Sequence, residues 1–140
     1  RALGELPGLQ LRIRMPIDEI SHEKNLIDKL SGYKKVIDAK NSITSVPNML
    51  EAMSMLIERR RTGIYNLTNP GVISAAEIMG MYKEIINPEH DFEVIPAGSL
   101  GLQRSNCMLN TDKLQSERIN LPEIHKAVEE CLLSYKNYKK

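Results

Sequence analysis

The sequence predicts an α/β fold, and three observations support this prediction. Segments in which apolar residues alternate with a period of two are followed along the chain by segments of helical period. Turn and cap signals separate them, including Pro7-Gly8 and a capping box formed by Ser74 and Glu77. Hydrophobic residues make up 41% of the 140 residues, which is enough for the core of one domain. Such alternation of strands and helices requires at least one parallel pairing of strands.

The first half of the chain contains signals for two strands and two helices. Alternating Leu11, Ile13 and Met15 indicate a strand, Gly32 is suited to end a helix as its C′ residue, and Pro47 is suited to a first helical turn. The expected elements, in order, are a strand at Leu9–Ile17, a helix from Ser21 or His22 to Leu30, a short strand at Lys35–Ala39 and a helix at Pro47–Arg60.

The second half continues the alternation. Pro88 is expected to end one helix, Thr111 to cap a short one and Pro122 to begin the last one. The polar tail after Tyr135 is expected to fray. The expected elements, in order, are a strand at Gly63–Thr68, a helix from Ser74 through Ile86, a strand at Phe92–Pro96, a loop at Ala97–Asn106, a short helix through Leu114 and the final helix.

The two strongest strands are expected to pair in parallel. The helix at Pro47–Arg60 lies between Leu9–Ile17 and Gly63–Thr68, and parallel neighbours need a crossover of this kind. The free edge of the first strand would favour association with a second copy, that is, a homo-oligomer.

The charge balance and the cysteines restrict the class of protein. The net charge is +1, from 19 basic and 18 acidic side chains, so the sequence predicts no nucleic-acid partner. No apolar run approaches the roughly 20 residues of a membrane span, so no membrane partner is expected. Cys107 and Cys131 lie far apart, as in a reducing compartment, and the expected location is the cytoplasm.

Most residues whose side chains could take part in catalysis, metal binding or cofactor binding are better explained by a structural role. The three histidines do not lie at metal-ligand spacing with a cysteine or carboxylate. Cys131 falls on the apolar face of the last helix, where core packing explains it. Tyr135 and Lys139 share a Tyr-x-x-x-Lys spacing, but they lie in a polar terminus with no cofactor-binding strand before them. Gly98 and Gly101 do not complete a dinucleotide-binding loop.

The arginines Arg12, Arg14 and Arg104 remain as candidates for anion binding. Two arginines on a strand that faces a core need anionic partners. For Arg12 an ion pair with a carboxylate of the same domain is the favoured explanation. For Arg14 a ligand contact is favoured, because ligands bind at the carboxyl ends of strands in open α/β sheets. Arg14 and Arg104 are expected to converge on one cleft.

Several segments resemble one family of enzymes. The chain is similar to the C-terminal part of extended short-chain dehydrogenase/reductases that act on 4-keto-6-deoxy sugar nucleotides, above all the dTDP-4-dehydrorhamnose reductases and the plant epimerase/reductases. The segments that carry the resemblance span nearly the whole chain in family order. They are residues 11–17 (LRIRMPI), 25–30, 41–44 (NSIT), 62–74 (TGIYNLTNPGVIS), 77–82 and 104–106 (RSN).

The resemblance implies a Rossmann-type fold and an NADPH-dependent reductase of a nucleoside-diphosphate sugar. It implies that Met15 lies at the cofactor and that Arg14, Asn25, Arg104 and Asn106 bind the substrate. Residues 1–140 would form one substrate-side α/β unit. The cofactor-binding region and the catalytic Tyr-Lys pair would precede Arg1, so this chain alone is expected to have no reductase activity.

Two other interpretations stay open at this point. One is a non-catalytic nucleotide-binding or regulatory subunit on the same scaffold, which an intact upstream cofactor loop would contradict. The other is an unrelated small α/β interaction domain, in which Arg14 and Arg104 should lie apart.

Overall fold

The computed structural model describes residues 8–96 and 108–138 of the chain. Strands and helices alternate through most of this length, as the sequence predicts. The elements, in order, are β1 (Leu9–Arg12), α1 (Leu26–Ser31), β2 (Lys35–Asp38), β3 (Lys40–Asn41), α2 (Val46–Glu58), β4 (Gly63–Asn66), β5 (Ile73–Ser74), α3 (Ala75–Ile85), β6 (Glu93–Pro96), α4 (Asp112–Ser116) and α5 (Ile124–Tyr138).

The predicted parallel pair is confirmed. β1 and β4 are parallel neighbours, with Leu9 opposite Gly63 and Arg12 opposite Asn66. α2 lies in the connection between them, as expected, and a proline occupies its first turn. Both strands therefore end at the same edge of this small sheet, which is where the candidate site lies.

The first strand is shorter than the sequence predicts. β1 ends at Arg12, and Met15 has a φ of 43°, a left-handed backbone conformation that no strand can continue through. The chain turns there, so Ile17 forms only an isolated parallel bridge with Ser45. The expected strand Leu9–Ile17 is thus wrong for its last residues, and Arg14 lies in the segment after the strand. β4 likewise ends at Asn66 and not at Thr68.

The first helix begins later than expected, at Leu26 rather than at Ser21 or His22. Asn25 is its N-cap, with its side chain accepting from the Ile27 N–H. Residues 18–24 form a loop instead, because side chains in it and at α1 satisfy its backbone groups. Gly32 caps the end of α1 with an ordinary right-handed φ of −84°, not the left-handed one of a C′ glycine.

Two further strand pairs were not predicted from the sequence. β2 pairs with β6 in parallel, and β3 pairs with β5 antiparallel, with Asn41 opposite Ile73. β3 and β5 have only two residues each, which is too short to show a periodic pattern. They bring the segment after β2 alongside the start of α3.

The main hydrophobic core joins α1, α3 and α5. The predicted capping box is confirmed: Ser74 accepts from the Glu77 N–H, and the Glu77 side chain accepts from the Ser74 N–H. α5 begins at Ile124 and not at Pro122, and it continues to Tyr138, so the expected fraying is wrong for residues 136–138, whereas residues 139–140 lie outside the described ranges. The reason is that Tyr135 is fully buried and anchors the last turns. The largest buried side chains of this core are Ile17, Ile27, Ile43, Ile73, Ile78, Met79, Ile124, Leu132 and Tyr135.

A smaller core lies beneath the β1–β4 pair. Ala52 and Leu56 of α2 pack with Tyr65, Leu67 and Leu114. The Glu117 carboxylate after α4 accepts from Arg61 Nε at 2.8 Å and from the Tyr65 hydroxyl at 3.2 Å. These contacts attach α4 to the sheet. They also give Arg61, one of the three consecutive arginines at 59–61, a structural role.

Candidate functional site

The candidate site lies at the carboxyl edge of the β1–β4 pair, next to a cavity of about 420 Å³. The cavity is bounded by α1, β2, β3 and the junction of β5 with α3. Its wall is mostly apolar, with four polar side chains, Lys29, Tyr33, Lys35 and Asn41, and Met15 contributes from the segment after β1. None of the described lining residues is acidic, so its fixed charges are positive.

Arg14 is held at this edge by both its backbone and its side chain. Its N–H donates to the Thr44 hydroxyl at 2.9 Å, and its carbonyl accepts from the Thr44 N–H at 2.8 Å. Its guanidinium Nη2 donates to Asn41 Oδ1 at 3.0 Å. Arg14 is half-buried, whereas Arg12 is exposed. The structure therefore gives only one of the two strand arginines a defined position beside the cavity.

Among residues 8–96 and 108–138, Arg12 has no carboxylate partner of the kind that the sequence favours. It is the last residue of β1 and is exposed, and no carboxylate in the described ranges forms an ion pair with it. The short strand explains the exposure of Arg12. Because β1 ends at this residue, Arg12 and Arg14 do not lie together on a strand face that packs against the core.

Met15 has a strained backbone beside the cavity. A φ of 43° is uncommon for a residue with a side chain, and such conformations cluster at binding sites, where neighbouring contacts maintain them. Here the contacts are those of Arg14 with Thr44 on one side and the Ile17 N–H to the Thr44 carbonyl, at 2.9 Å, on the other. Met15 forms part of the cavity wall.

Three buried polar atoms at the carboxyl edge have no hydrogen-bond partner within residues 8–96 and 108–138. They are Arg14 Nε, Asn66 Oδ1 and Thr68 Oγ1. A buried polar group without a partner costs about 1–3 kcal/mol, so a native protein rarely contains a group of them without a reason. All three lie at or just after the ends of β1 and β4, which is where a polar ligand would reach them.

Asn25 is completely buried, and its side chain is fully used within the protein. Its Oδ1 accepts from the N–H groups of Asp18 and Ile27, at 3.0 and 3.1 Å. Its Nδ2 donates to the carbonyls of Asp18 and Ile20, at 2.8 and 2.9 Å. An asparagine amide offers two donors and an acceptor oxygen, and all are occupied. In this structure Asn25 therefore shapes the loop before α1.

Arg104 and Asn106 lie outside the described residues, as does Cys107. The expected convergence of Arg104 with Arg14 therefore stays a prediction.

The structural explanations of Tyr135 and Cys131 agree with their surroundings. Burial and a 2.5 Å hydrogen bond to the Asp28 carboxylate raise the pKa of the Tyr135 phenol far above its usual range. Burial raises the pKa of the Cys131 thiol to about 11. Both groups therefore stay protonated at neutral pH, which does not suit an acid–base or nucleophilic role.

The described part of the chain has neither a metal-binding cluster nor a membrane-spanning helix. No three His, Cys, Asp or Glu side chains in it are grouped closely enough to hold a metal ion. None of the helices in residues 8–96 and 108–138 combines the length and the apolar character that crossing a membrane needs.

Sequence reasoning missed the cavity and the contact between Arg14 and Asn41. The two residues are 27 positions apart, and the short strands that bring Asn41 to the rim have no periodic signal. The sequence pointed to Asn41 only as part of the segment 41–44 that carries the resemblance, and the polar residues after α1, at Tyr33, Lys34 and Lys35, are explained equally well by a solvated loop.

Comparisons with known proteins agree with the resemblance. No model of a protein family matches the chain. The bifunctional dTDP-4-dehydrorhamnose 3,5-epimerase/dTDP-4-dehydrorhamnose reductase of Arabidopsis thaliana is 36% identical over 130 residues, which cover 89% of this chain and 42% of that protein. The crystal structure of the UDP-rhamnose synthase of Acanthamoeba polyphaga mimivirus has a TM-score of 0.81 at 33% identity, covering 90% of this chain and 45% of that one.

A more distant structure supports the fold alone. The dTDP-4-dehydrorhamnose reductase of Bacillus anthracis, solved in complex with NADP, has a TM-score of 0.70 at 15% identity and covers 88% of this chain and 47% of that chain. The chain thus spans less than half the length of each of these proteins. The predicted α/β class, as part of a Rossmann-type reductase fold, is confirmed. The chain is homologous to the C-terminal portion of the dTDP-4-dehydrorhamnose reductases and of the plant epimerase/reductases of nucleotide-rhamnose synthesis.

Proposed function

We propose that this chain is the substrate-side part of an NADPH-dependent reductase that acts on a nucleoside-diphosphate 4-keto-6-deoxy sugar in rhamnose biosynthesis. Residues 1–140 would form one substrate-binding unit, and the region that binds most of the cofactor would lie outside this chain. The relatives' names support the substrate class, since they act on dTDP- or UDP-linked sugars.

One observation carries the proposal: the buried, partnerless Nε of Arg14 at the carboxyl edge of β1, beside the cavity. A guanidinium has only donors and keeps its charge, so an unused N–H in a buried position calls for an anionic or carbonyl acceptor. A diphosphate supplies that acceptor, and charge-assisted contacts of this kind are strong. Arg14 would therefore bind the diphosphate, with Arg104 and Asn106 as further substrate contacts.

The mostly apolar cavity would hold an uncharged part of the ligand, because such walls favour ring systems and pyranose faces over phosphates. Its exposed Lys29 and Lys35 would attract the anionic ligand without a fixed geometry. Asn25 would act on the substrate through the loop that it orders, since its own donors are occupied.

The residues at the edge fit a nicotinamide cofactor only in part. The unpartnered polar atoms Asn66 Oδ1 and Thr68 Oγ1 suit polar contacts with such a group, and the Met15 side chain suits an apolar one. Residues 8–96 and 108–138 contain no glycine-rich loop for its phosphates. When bound, the cofactor would supply hydride to the 4-keto carbon. This chain's own residues would bind and orient the sugar nucleotide.

The test uses the full-length protein that contains this chain. It should consume NADPH when a UDP- or dTDP-linked 4-keto-6-deoxy sugar is supplied. Arg14→Ala should weaken binding of that substrate by roughly thirtyfold or more, the effect of removing one partner of a buried charged contact. Arg60→Ala is the control, because Arg60 is exposed and lies before the amino end of β4. Equal effects of the two variants would refute the role of Arg14, and nucleotide binding without NADPH consumption would favour the non-catalytic subunit.

A further inference from the structure

The neutral side chain of Asn41 forms a hydrogen bond with the charged side chain of Arg14. Its Oδ1 accepts from Arg14 Nη2 at 3.0 Å, and its Nδ2 donates to the Ala39 carbonyl at 3.2 Å. Because a guanidinium can only donate, the oxygen of the amide must face Arg14. The bond to Ala39 keeps the amide in that orientation.

Both partners of this contact are fixed by backbone pairing. Asn41 lies in β3, opposite the buried Ile73 of β5. The Arg14 backbone is held from both sides by Thr44, which is itself completely buried. The Asn41 amide and the Arg14 guanidinium therefore meet in a preorganised arrangement at the rim of the cavity that Asn41 lines.

The charge of the partner determines what Arg14 can still do. A carboxylate at residue 41 would form an ion pair with the guanidinium and neutralise it locally. An amide satisfies one donor and leaves the positive charge in place. No described carboxylate forms an ion pair with Arg14, and Lys29 and Lys35 add positive charge at the same cavity. The Arg14 guanidinium therefore keeps a positive charge and an unused Nε–H that an anionic group of the ligand can accept from.

We infer that Asn41 is a positioning residue for the diphosphate-sugar ligand: it orients the Arg14 guanidinium beside the cavity without compensating its charge. This inference rests on the proposed function, because it requires that Arg14 binds the diphosphate. Asn41 acts through Arg14 and need not touch the ligand itself.

The experiment is a double-mutant cycle in the full-length protein, with UDP and dTDP as the probes and titration calorimetry as the measurement. The variants are Arg14→Ala, Asn41→Ala, Asn41→Asp and the double variant Arg14→Ala/Asn41→Ala. Asn120→Asp serves as the charge control, because Asn120 is exposed. Thermal unfolding of each variant separates loss of binding from loss of folding.

Asn41→Ala is expected to weaken binding of the better nucleotide about tenfold, as the loss of one hydrogen bond to a charged group does. In the Arg14→Ala background the same change should have an effect of less than about twofold, because residues that act through one another are not additive. Asn41→Asp loses the donor to the Ala39 carbonyl but keeps the acceptor that faces Arg14 and the side-chain shape. It should nevertheless weaken binding at least as much as Asn41→Ala and make binding less dependent on salt, since the guanidinium charge is neutralised.

The outcomes separate the two proposals. If Arg14→Ala binds both nucleotides as the unchanged protein does, the proposed role of Arg14 fails, and the inference fails with it. If Arg14→Ala weakens binding but Asn41→Asp does not, or the two alanine changes are additive, only the inference is overturned. If Asn41→Ala lowers the unfolding temperature so far that binding cannot be measured, the result for Asn41→Asp decides.

Discussion

The backbone of Arg14 and the side chain of Thr44 form a single junction between β1 and β4. The Thr44 hydroxyl accepts from the Arg14 N–H at 2.9 Å and donates to the Leu67 carbonyl at 2.7 Å. Thr44 is completely buried, so water cannot replace either bond. This hydroxyl group is therefore one of the anchors that hold Arg14 at the cavity, together with the Thr44 N–H and Asn41 Oδ1.

Thr44→Val should destabilise the protein by about 1–3 kcal/mol, because it leaves the Arg14 N–H and the Leu67 carbonyl buried without a partner at nearly constant side-chain volume. Chemical denaturation measures this change. Thr62→Val is the control, since Thr62 is exposed, and it should change stability by less than about 0.5 kcal/mol. Similar values for the two variants would show that the junction does not contribute to stability.

Asn25→Ala should lower the stability of the protein, and any effect on ligand binding should follow from that loss. The change removes four hydrogen bonds to the backbone of residues 18, 20 and 27 at a buried position, and we expect a loss of about 2–4 kcal/mol. Asn120→Ala, at an exposed position, is the control. If Asn25 contacts the diphosphate directly, Asn25→Ala would instead weaken nucleotide binding with an unchanged unfolding temperature.

Gly71 and Gly80 should respond in opposite directions to the same substitution. Gly71 has a φ of 91°, and a Cβ there would lie 2.7 Å from Glu123 Oε2, so Gly71→Ala should cost about 1–2 kcal/mol. Gly80 is an exposed residue within α3, and a Cβ added there would meet no other atom within 4 Å, so Gly80→Ala should add about 0.5–1 kcal/mol. Urea unfolding of both variants checks the pair, and a stabilising Gly71→Ala would contradict the left-handed turn.

His125 should make stability depend on pH near neutrality. Its Nδ1 lies 2.8 Å from Glu123 Oε2 and its Nε2 lies 3.3 Å from Glu77 Oε1, and only an imidazolium can donate from both nitrogens. The hydrogen bond to Glu123 raises the pKa of His125, burial opposes this, and Glu77 adds to the increase. Because the folded pKa is raised, the stabilisation is complete below the unfolded value and is lost as pH rises through the folded value.

All three of these side chains are at least one-third exposed, so solvent screening limits the effect to about 0.5–1 kcal/mol. The measurement compares the free energy of unfolding at about pH 5.5 and about pH 8.5. His125→Gln should remove the decrease between the two values, since glutamine does not titrate. An unchanged decrease in that variant would assign the pH dependence to other groups.

Local signals in the sequence were sufficient to predict the class of fold and its strongest elements. The helical period over α2, the capping box of Ser74 and Glu77, and the β formers of β4 are local signals, so they could be read without the structure. The parallel pairing of β1 with β4 followed from the helix between them. The resemblance added the family, because it depends on the order of short motifs and not on their contacts.

The ends of the strands and the surroundings of Arg14 depend on tertiary contacts, which local sequence patterns do not show. The left-handed backbone of Met15 depends on the contacts of its neighbours with Thr44, which are distant in sequence. The Asn25 amide could bind a ligand, but in the folded protein it is buried and all its hydrogen bonds are made with the protein backbone. The contact of Arg14 with Asn41 likewise joins residues that share no local pattern, because it depends on the pairing of two short strands. Local signals specify elements, whereas a site is specified by which distant groups packing brings into hydrogen-bonding distance.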